Sequence, residues 1–188
     1  MGMPAAHANW TVDLLDALPD DGQRYEIIDG ELFVTPEPSE VHQLVVGEFL
    51  LRLRSYLRPS SVARAIHSPA DVRRGDRTRN RVQPDVFAVR LRDGKRPSYP
   101  YTLGDLILAI EIASPSNPVY DYHVKRTLYL SSGVPEYWIV NTDARLLSRW
   151  RSIKDPGEEF SRAIAWHPEG MPTALTIDLP TLFEDALG

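Results

Sequence analysis

The feature that most constrains the fold of this chain is an almost uninterrupted apolar run from Leu106 to Ala113, broken only by Glu111. A run of this kind is typical of a strand covered on both faces, because a strand with one solvated face alternates apolar and polar residues. Such a strand needs helices or further strands packed on each side of its sheet. Since helical and strand patterns occur on both sides of the run in the chain, we expect an α/β or α+β fold.

The composition fits one domain with a sizeable core. The chain has 188 residues, of which 43% are apolar and 25% are charged, values typical of a globular domain. We expect residues 1–10 to form a flexible tail. Residues 11–188 should form a single domain, because no linker or internal repeat divides them.

Several classes of site are excluded by residues that are absent from the sequence. There is no cysteine, which excludes disulfides, thiolate zinc sites, iron–sulfur clusters and a thiol nucleophile. There is no Gly-rich phosphate loop, and the five histidines are scattered without metal-ligand spacing. No signal peptide or apolar stretch long enough to span a bilayer is evident, so we expect a cytoplasmic protein.

Local signals in the first third of the chain predict a short helix, a hairpin and a long helix. Thr11 is a suitable N-cap for the short helix. Asp29-Gly30 between two apolar-rich runs is a strong hairpin signal, and it predicts strands over Arg24–Ile28 and Glu31–Thr35. A helical apolar periodicity then begins at Ser39 and stops before Pro59.

The remaining elements are predicted from apolar runs and the breakers between them. A charged turn is expected at residues 75–80. A helix over residues 120–132 should end at Gly133, a favourable residue directly after a helix. A final hairpin is expected from residues 160–166 and 175–177, followed by a helix at residues 182–187. Further strands are expected at residues 62–66, 70–73, 82–89, 134–140 and 146–151.

Two carboxylates stand inside apolar strands and are candidates for a functional site. Asp85 directly follows Pro84, and Glu111 interrupts the long apolar run. A carboxylate in a buried strand is costly unless it is paired, hydrogen-bonded or bound to a metal. If the two strands are neighbours, the pair supplies the oxygen ligands that Mg²⁺ prefers. The alternative is an aspartate facing solvent and a glutamate paired with an arginine.

Lys125 lies on the helix that follows the Glu111 strand, and it has two interpretations. Asp121 precedes it by four residues, so the two side chains share a helix face. In the structural interpretation they form a surface ion pair worth about 0.3–0.5 kcal/mol. In the functional interpretation the ammonium points over the strand ends toward Asp85 and Glu111.

Six segments in this order together resemble the Uma-type family of restriction endonucleases, part of the PD-(D/E)XK nuclease superfamily. The resemblance covers residues 11–183. It implies a restriction-endonuclease-like fold, which is a mixed central sheet flanked by helices with an N-terminal helix and hairpin extension. The segments are Tyr25-Glu-Ile-Ile-Asp-Gly-Glu-Leu32, His42, Gln83-Pro-Asp85, Glu111-Ile-Ala-Ser-Pro115, Asp121 with Lys125 and Tyr129, and Gly133-Val-Pro-Glu-Tyr-Trp-Ile-Val140.

The resemblance also implies a divalent-metal site for Mg²⁺ or Mn²⁺. Asp85 and Glu111 match the metal-binding carboxylates, and the carbonyl of Ile112 is the implied third ligand. The superfamily's lysine normally stands two residues after the glutamate, where this chain has Ala113. Lys125 matches the helix lysine of this family, which resembles a relocated equivalent.

Two additional residues match recurrent family positions. Glu31 and His42 are candidates for a further ligand or for a group that orients a metal-bound water. The alternatives are a solvent-facing charge for Glu31 and a helix-terminal hydrogen bond for His42. Tyr137 and Trp138 are expected in the core rather than stacked on bases.

Charge is distributed unevenly along the chain. Residues 52–96 hold 13 basic and 4 acidic residues, a net charge of +9, whereas the rest of the chain carries −14. Such a segment is typical of a polyanion-binding surface or of a solvated arginine-rich loop. In the first interpretation five arginines contact phosphates without reading sequence, and they lie on the same side of the molecule as Asp85. These are Arg73, Arg74, Arg77, Arg79 and Arg81.

One main hypothesis of function and two alternatives follow. The main hypothesis is an Mg²⁺-dependent endonuclease that hydrolyses phosphodiester bonds in DNA. Asp85 and Glu111 hold the metal, and Lys125 positions the water or stabilises the charge of the transition state. Cutting both strands of a duplex favours a homodimer. The alternatives are a non-catalytic nucleic-acid-binding or protein-interaction domain on the same fold, and a metal-dependent hydrolase of another phosphoester.

Overall fold

A six-stranded mixed sheet and a five-stranded sheet form the framework of the molecule. The computed structural model describes residues 9–19, 21–35, 37–75, 79–113 and 120–188. Its strands are β1 (Arg24–Ile28), β2 (Glu31–Thr35), β3 (Ala63–His67), β4 (Val72–Arg73), β5 (Arg81–Val82), β6 (Val86–Arg90), β7 (Tyr101–Thr102), β8 (Leu106–Ile112), β9 (Tyr137–Asn141), β10 (Leu146–Trp150), β11 (Glu158–Phe160), β12 (Ala163–Trp166) and β13 (Leu175–Asp178).

The helices agree with the sequence pattern in order and position. Thr11 caps the first helix and Ser39 the second, each through a side-chain oxygen that accepts a backbone hydrogen bond. The predicted helix over residues 120–132 begins as a π-helical turn, Tyr120–Lys125, before it becomes α-helical. The α-helices are α1 (Val12–Asp16), α2 (Glu40–Leu57), α3 (Arg126–Ser131) and α4 (Leu179–Leu187).

The apolar run forms β8, an interior strand of the six-stranded sheet. The strand order of this sheet is β11-β10-β9-β8-β6-β3, and all seven residues of β8 are buried. Ile110 and Ile112 face a core that includes residues of α2 and α4, whereas Ala109 faces a second core. Both faces of the central strand are therefore covered, which confirms the predicted fold class.

The five-stranded sheet packs over the second core. Its order is β2-β1-β5-β4-β7, and Val72 and Val82 contribute to that core. The predicted hairpin is confirmed, since Ile28 pairs with Glu31 around the Asp29-Gly30 turn. This hairpin places β1 between β2 and β5, beside the beginning of β6.

The predicted single strand over residues 82–89 is wrong, because it is divided between the two sheets. β5 belongs to the five-stranded sheet and β6 to the central sheet. Pro84 at the break has no amide hydrogen. The amide of Gln83 donates to Oε1 of Glu26 at 2.6 Å, and a side chain thus replaces a neighbouring strand as its partner. The break leaves Asp85 directly before β6.

A second predicted strand, over residues 160–166, is also divided. Phe160 ends β11 at the edge of the central sheet, whereas Ala163 begins β12, which pairs with β13. The predicted hairpin of residues 163–166 and 175–177 is otherwise confirmed. No helix in the described ranges is long and apolar enough to cross a bilayer.

Three sequence predictions fall wholly or partly outside the described residues. These are the tail, the charged turn around residues 76–78 and the end of the Glu111-Ile-Ala-Ser-Pro115 segment. The end of the predicted tail is attached to the hairpin, because the amide of Trp10 donates to the carbonyl of Gly30 at 2.9 Å.

Candidate active site

Asp85 and Glu111 lie opposite each other on neighbouring antiparallel strands. The register of β6 and β8 places the residue before β6 across from Glu111. Phe87 and Ala109 face the second core, and the alternation of strand side chains puts both carboxylates on that same face. Asp85 is 2% exposed and Glu111 is 1% exposed. Two negatively charged groups are thus brought together under the five-stranded sheet.

Asp85 receives three polar contacts. Nη1 of Arg24 donates to its Oδ1 at 2.7 Å, while its Oδ2 accepts the amide of Ile112 at 2.9 Å and lies 3.0 Å from Nε2 of His42. Burial alone would raise the pKa of Asp85. The hydrogen bond with His42 and the charge of Arg24 outweigh burial and hold that pKa well below its ordinary value. Asp85 is therefore an ionised carboxylate at neutral pH.

Glu111 contacts two residues of the helical segment that follows its strand. Its Oε1 accepts a hydrogen bond from the hydroxyl of Tyr129 at 2.9 Å and lies 3.0 Å from Nζ of Lys125. Burial raises the pKa of Glu111 well above its ordinary value, and the nearby Asp85 adds to the increase, although Lys125 opposes it. Additional positive charge near this carboxylate would favour its ionised form.

Lys125 is buried, so the interpretation of an exposed surface ion pair with Asp121 is wrong. Its side chain is 1% exposed, and its Nζ lies 3.0 Å from both Glu26 and Glu111 but 4.0 Å from Asp121. The reason is that the π-helical turn packs against the second core instead of facing solvent. Burial would lower the pKa of Lys125, but the carboxylates of Glu111 and Glu26 outweigh burial and raise it above the ordinary value.

Glu26 is the member of the cluster that the sequence argument missed. It is fully buried in β1, and its Oε2 lies 3.0 Å from Nζ of Lys125. The charge of Lys125 contributes to lowering the pKa of Glu26, despite burial. The signal was present in the sequence, because Glu26 precedes two isoleucines in a predicted strand, just as Glu111 lies between two isoleucines. Arg24, two residues earlier, shares its face of β1.

Asp121 lies at the edge of the cluster. Its side chain is 12% exposed, and burial raises its pKa to about 6 against the attraction of Lys125. The hydroxyl of Tyr137 donates to the Asp121 carbonyl at 3.0 Å, which attaches the π-helical turn to β9. Tyr137 and Trp138 are fully buried, as expected for core residues.

When all of its carboxylates are ionised, the cluster carries more negative than positive charge. Its oxygen donors are of the type that Mg²⁺ and Mn²⁺ prefer. In the described part of the chain no three acidic or histidine side chains already form a metal-holding group. Arg24 lies 2.7 Å from Asp85 and 4.0 Å from Glu111. Its guanidinium therefore supplies positive charge to both carboxylates. Four carboxylates against two permanent cations give a formal charge of −2, from Glu26, Asp85, Glu111 and Asp121 with Arg24 and Lys125.

Comparison with known proteins identifies the family of the chain. The family model described as "Uma2: Putative restriction endonuclease" matches residues 12–179. This chain belongs to the Uma2 family. The resemblance inferred from the sequence motifs is thereby confirmed, and membership supports a nuclease function in general terms.

A solved structure shows the same fold as this Uma2 protein. It is the crystal structure of a protein from Anabaena variabilis described as "a putative nuclease belonging to DUF820". The likeness covers 94% of this chain and 99% of that chain, with a TM-score of 0.76 and 21% sequence identity. At this identity the likeness is evidence for the fold alone. No curated protein matches the chain.

Of the three further residues that the Uma2 resemblance implied, two are close to Asp85 and one is not. The amide of Ile112 donates to Asp85, and the carbonyl of a strand residue points to the same side as its amide, so the Ile112 carbonyl is directed to the β6 side of β8. His42 contacts Asp85 directly. Glu31 is exposed at the beginning of β2, and within the described ranges it makes no ion pair with the cluster.

Arg73 and Arg81 lie on the face of the five-stranded sheet that points away from the cluster. They pair with each other across β4 and β5, and Arg81 also pairs with the residue after Glu26 in β1. Because neighbouring residues of a strand point to opposite faces, both arginines are on the face opposite Glu26. Their guanidiniums lie near two aspartates, Asp16 of α1 and Asp71.

Arg74 and Arg79 lie near the hairpin turn of the Uma2 extension. Nη2 of Arg79 donates to the carbonyl of Asp29 at 2.7 Å, and Nη1 of Arg74 lies 3.9 Å from Oδ1 of the same residue. Arg77 lies outside the described residues. The prediction that these arginines share the side of Asp85 is wrong for Arg73 and Arg81, because the register turns both toward α1. Phosphate binding by this segment stays a prediction.

Proposed function

We propose that the cluster around Asp85, Glu111 and Lys125 is the active site of a divalent-metal-dependent endonuclease that acts on DNA. The observation that carries this proposal is the placement of two buried carboxylates on one face of neighbouring strands, with a buried ammonium 3.0 Å from Glu111. Removing these charges from water is costly, and apolar side chains of similar size would stabilise the core better. Membership of the Uma2 family supports nuclease chemistry.

Asp85, Glu111 and the carbonyl of Ile112 are the groups that would hold the ion. A bound Mg²⁺ supplies a water of lowered pKa and a positive charge beside the scissile phosphate. His42 contacts Oδ2 of Asp85 at 3.0 Å and fixes the orientation of that carboxylate. The side chain of Arg24 is 20% exposed, so it can turn from the carboxylates toward a phosphate oxygen.

Lys125 supplies a fixed positive charge. Glu26 and Glu111 hold its Nζ from two sides, and burial prevents the side chain from turning to solvent. Because these carboxylates keep the pKa of Lys125 above its ordinary value, the ammonium carries its proton at neutral pH. A charged lysine cannot remove a proton from water. Its role is therefore to orient the attacking water or to stabilise negative charge that develops on the phosphate.

A non-catalytic role on the same fold is the second candidate, and one observation favours it. Arg24 contacts Asp85, and Lys125 contacts Glu26 and Glu111, so each of these three buried carboxylates already has a cationic partner without a metal. A network of this kind is also consistent with a purely structural contribution to the N-terminal extension.

Metal-dependent cleavage of supercoiled plasmid DNA distinguishes the two candidates. We expect the wild-type protein to nick or linearise the plasmid with Mg²⁺ or Mn²⁺ and not with EDTA. Asp85→Asn and Glu111→Gln should each lower the rate by on the order of 10²–10³-fold, the effect of removing a major electrostatic contribution. Glu31→Gln is the matched control, since this carboxylate is exposed and outside the cluster.

Cleavage assays with two further substrates define the reaction. Single-stranded RNA tests DNA preference, and bis(p-nitrophenyl) phosphate tests phosphodiester hydrolysis without nucleic-acid binding. Cleavage of both plasmid strands should accompany a homodimer in sedimentation measurements. The proposal is contradicted if wild-type protein hydrolyses none of these substrates with either metal, and that result favours the non-catalytic candidate.

A further inference from the structure

A cavity at the edge of the central sheet is lined by four arginines. Its volume is about 490 Å³, and it lies between the end of α2, strand β3 and the segment after β6. We call it the arginine cavity and define it by Arg54, Arg58, Arg64 and Arg96. Its other lining residues carry no charge, so the lining contains no carboxylate that could neutralise the four guanidiniums.

The arginines of this cavity differ from most others in the protein. Arg54, Arg58 and Arg96 are exposed and, among the described residues, form no ion pair with any carboxylate. Most other described arginines have acidic partners: Arg52 contacts Glu48 and Asp185, for example, and Arg92 contacts Asp105. A group of unpaired cations around a cavity produces a concentrated positive potential, which attracts polyanions.

Arg64 fixes the wall of the cavity. Its Nη1 donates to the carbonyls of Leu57, Ser60 and Ala63, at distances from 2.7 to 3.2 Å. These bonds attach the end of α2 to the edge strand β3. Arg54, Arg58 and Arg96 therefore line the cavity together with the Arg64 guanidinium, which backbone carbonyls hold in position.

The arginine cavity lies at the β3 edge of the central sheet and is lined from both faces. Arg54 lies in α2 and Arg58 directly follows it, and this helix packs on the face opposite the carboxylate cluster, whereas Arg64 and Ile66 of β3 lie on the cluster's own face. Arg64 pairs with Val89, and Ile66, which also lines the cavity, pairs with Phe87. Phe87 and Val89 share one face of β6 with Asp85 because strand side chains alternate. Four residues separate Asp85 from Val89, a distance of about 13 Å along the strand. Successive phosphates of one DNA strand advance by about 3.4 Å, so about four of them cover this distance.

We propose that the arginine cavity binds backbone phosphates of the nucleic acid at the β3 edge of the central sheet, next to β6, the strand that directly follows Asp85. This inference rests on the proposed nuclease function and adds the substrate-binding surface to it. It assigns phosphate binding to the unpaired cations around α2 and β3, whereas Arg73 and Arg81 are engaged by aspartates on the opposite face of the other sheet. Arginines suit phosphate because their planar guanidinium donates two parallel hydrogen bonds.

The test compares two triple variants that remove the same charge from opposite edges of the central sheet. The first is Arg54→Ala with Arg58→Ala and Arg96→Ala, which retains Arg64 because of its structural bonds. The control is Arg145→Asn with Lys154→Ala and Arg162→Ala. These three residues are exposed, lie between β9 and β12 and have no acidic partner in the described ranges. Asparagine is chosen at Arg145 because its φ is 52°, a value that asparagine accepts.

Binding is measured by fluorescence anisotropy with a labelled 20-base-pair DNA duplex in EDTA, between 50 and 200 mM salt. The cavity variant should bind about tenfold or more weakly near 100 mM salt. Its log–log salt slope should be shallower by about three, because each of the three removed arginines would otherwise neutralise one phosphate. The control variant should differ from wild type by no more than about twofold. Hydrolysis of bis(p-nitrophenyl) phosphate should be unchanged in both variants, because neither alters the cluster.

Three results would overturn this inference. They are absence of duplex binding by wild-type protein, equal losses of affinity in the two variants, or a cavity variant with lower melting temperature but wild-type affinity. The last result would mean that these arginines serve only the end of α2. If wild-type protein still hydrolyses the small phosphodiester in any of these cases, the proposed active site remains supported and only the binding surface is rejected. If the triple variant fails to fold, the single variant Arg96→Ala replaces it, because Arg96 lies outside α2. This variant should make the log–log salt slope shallower by about one.

Discussion

Substitution of Lys125 is expected to affect both the stability of the fold and the proposed chemistry. Lys125 is 1% exposed and lies 3.0 Å from both Glu26 and Glu111. Its removal leaves both carboxylates buried without their main cation. Breaking a buried ion pair by removing one partner typically costs about 3–5 kcal/mol. The exposed pair with Asp121, one of the two interpretations from sequence, would have had little energetic value. Because Lys125 is buried instead, a Lys125 variant needs a stability measurement beside any activity measurement.

We expect Lys125→Met to lower the free energy of unfolding by about 3–5 kcal/mol, measured by urea denaturation. Addition of Glu26→Gln should recover part of the loss, because it removes one of the two unpaired negative charges. Lys154→Ala, at an exposed position, should change stability by no more than about 0.5 kcal/mol. A Lys125→Met protein as stable as wild type would show that the ammonium is not part of the folded network.

Asp121 should make stability fall as pH rises through weakly acidic values. Burial raises its pKa from 3.8 to about 6, so the folded state retains a proton that the unfolded chain releases between these values. The folded state then binds more protons, and stability decreases with increasing pH across this window, by on the order of 3 kcal/mol.

Substitution by asparagine isolates this effect. The free energy of unfolding of Asp121→Asn minus that of wild type should increase by on the order of 3 kcal/mol between pH 4 and pH 7. Glu184→Gln, at an exposed position of α4, is the control and should give a flat difference. A flat difference for Asp121→Asn as well would mean that Asp121 is solvated like an ordinary aspartate.

Sequence reasoning found some members of the cluster and missed others for a definite reason. Asp85 and Glu111 stand out because a carboxylate in an apolar strand needs a partner. Glu26 satisfies the same criterion, but its strand has the alternating pattern of an exposed hairpin, in which a glutamate is unremarkable. Arg24 gives no local signal at all, because its contact with Asp85 joins residues 61 positions apart in the chain.

At the level of elements, the hairpin β1–β2 carries Glu26 and Arg24 to the cluster, and its turn fixes their position. Gly30 has φ of 85°, a conformation that other residues adopt only at a cost. A Cβ at this position would lie 2.9 Å from Nη2 of Arg79. The carbonyl of Gly30 also accepts a hydrogen bond from the amide of Trp10. The turn therefore requires glycine for its conformation, and an added Cβ would also displace the end of the Arg79 side chain.

Gly30→Ala should lower the free energy of unfolding by roughly 1–2 kcal/mol, the cost of a left-handed alanine. Gly47→Ala is the matched control: it lies within α2, its added Cβ meets no atom within 4 Å, and it should be neutral or stabilising by about 0.5–1 kcal/mol. Thermal or urea unfolding of both variants provides the measurement. Equal stability changes in the two variants would contradict this account of the turn.

The elements that sequence predicted best are those with local causes. The Asp29-Gly30 turn, the N-cap at Thr11 and the apolar run of β8 each specify a structure within a few residues. The division of β5 from β6 has a distant cause, because the amide of Gln83 bonds to Glu26 in another strand. The π-helical turn likewise depends on Tyr137, which donates to its backbone from β9. Neither partner can be identified from the local pattern.

At the scale of the whole molecule, the cluster lies where two sheets meet over the second core. The central sheet contributes Asp85 and Glu111, the five-stranded sheet contributes Glu26 and Arg24, and the π-helical turn supplies Lys125. The positive segment seen in the sequence is divided by this arrangement. Some of its arginines face α1, and others surround the arginine cavity. The distribution of charge along the chain could not show this division, because strand register decides which face each arginine lies on.

The central claim is that Asp85 and Glu111 hold a divalent cation in place of the Arg24 guanidinium. Crystals soaked in MnCl₂ and measured at a wavelength with manganese anomalous signal test it directly. The account predicts an anomalous peak between the two carboxylates, with oxygen ligands at about 2.0–2.6 Å and Arg24 turned away. An absent peak in saturating Mn²⁺, with Arg24 still bonded to Asp85, would contradict the claim.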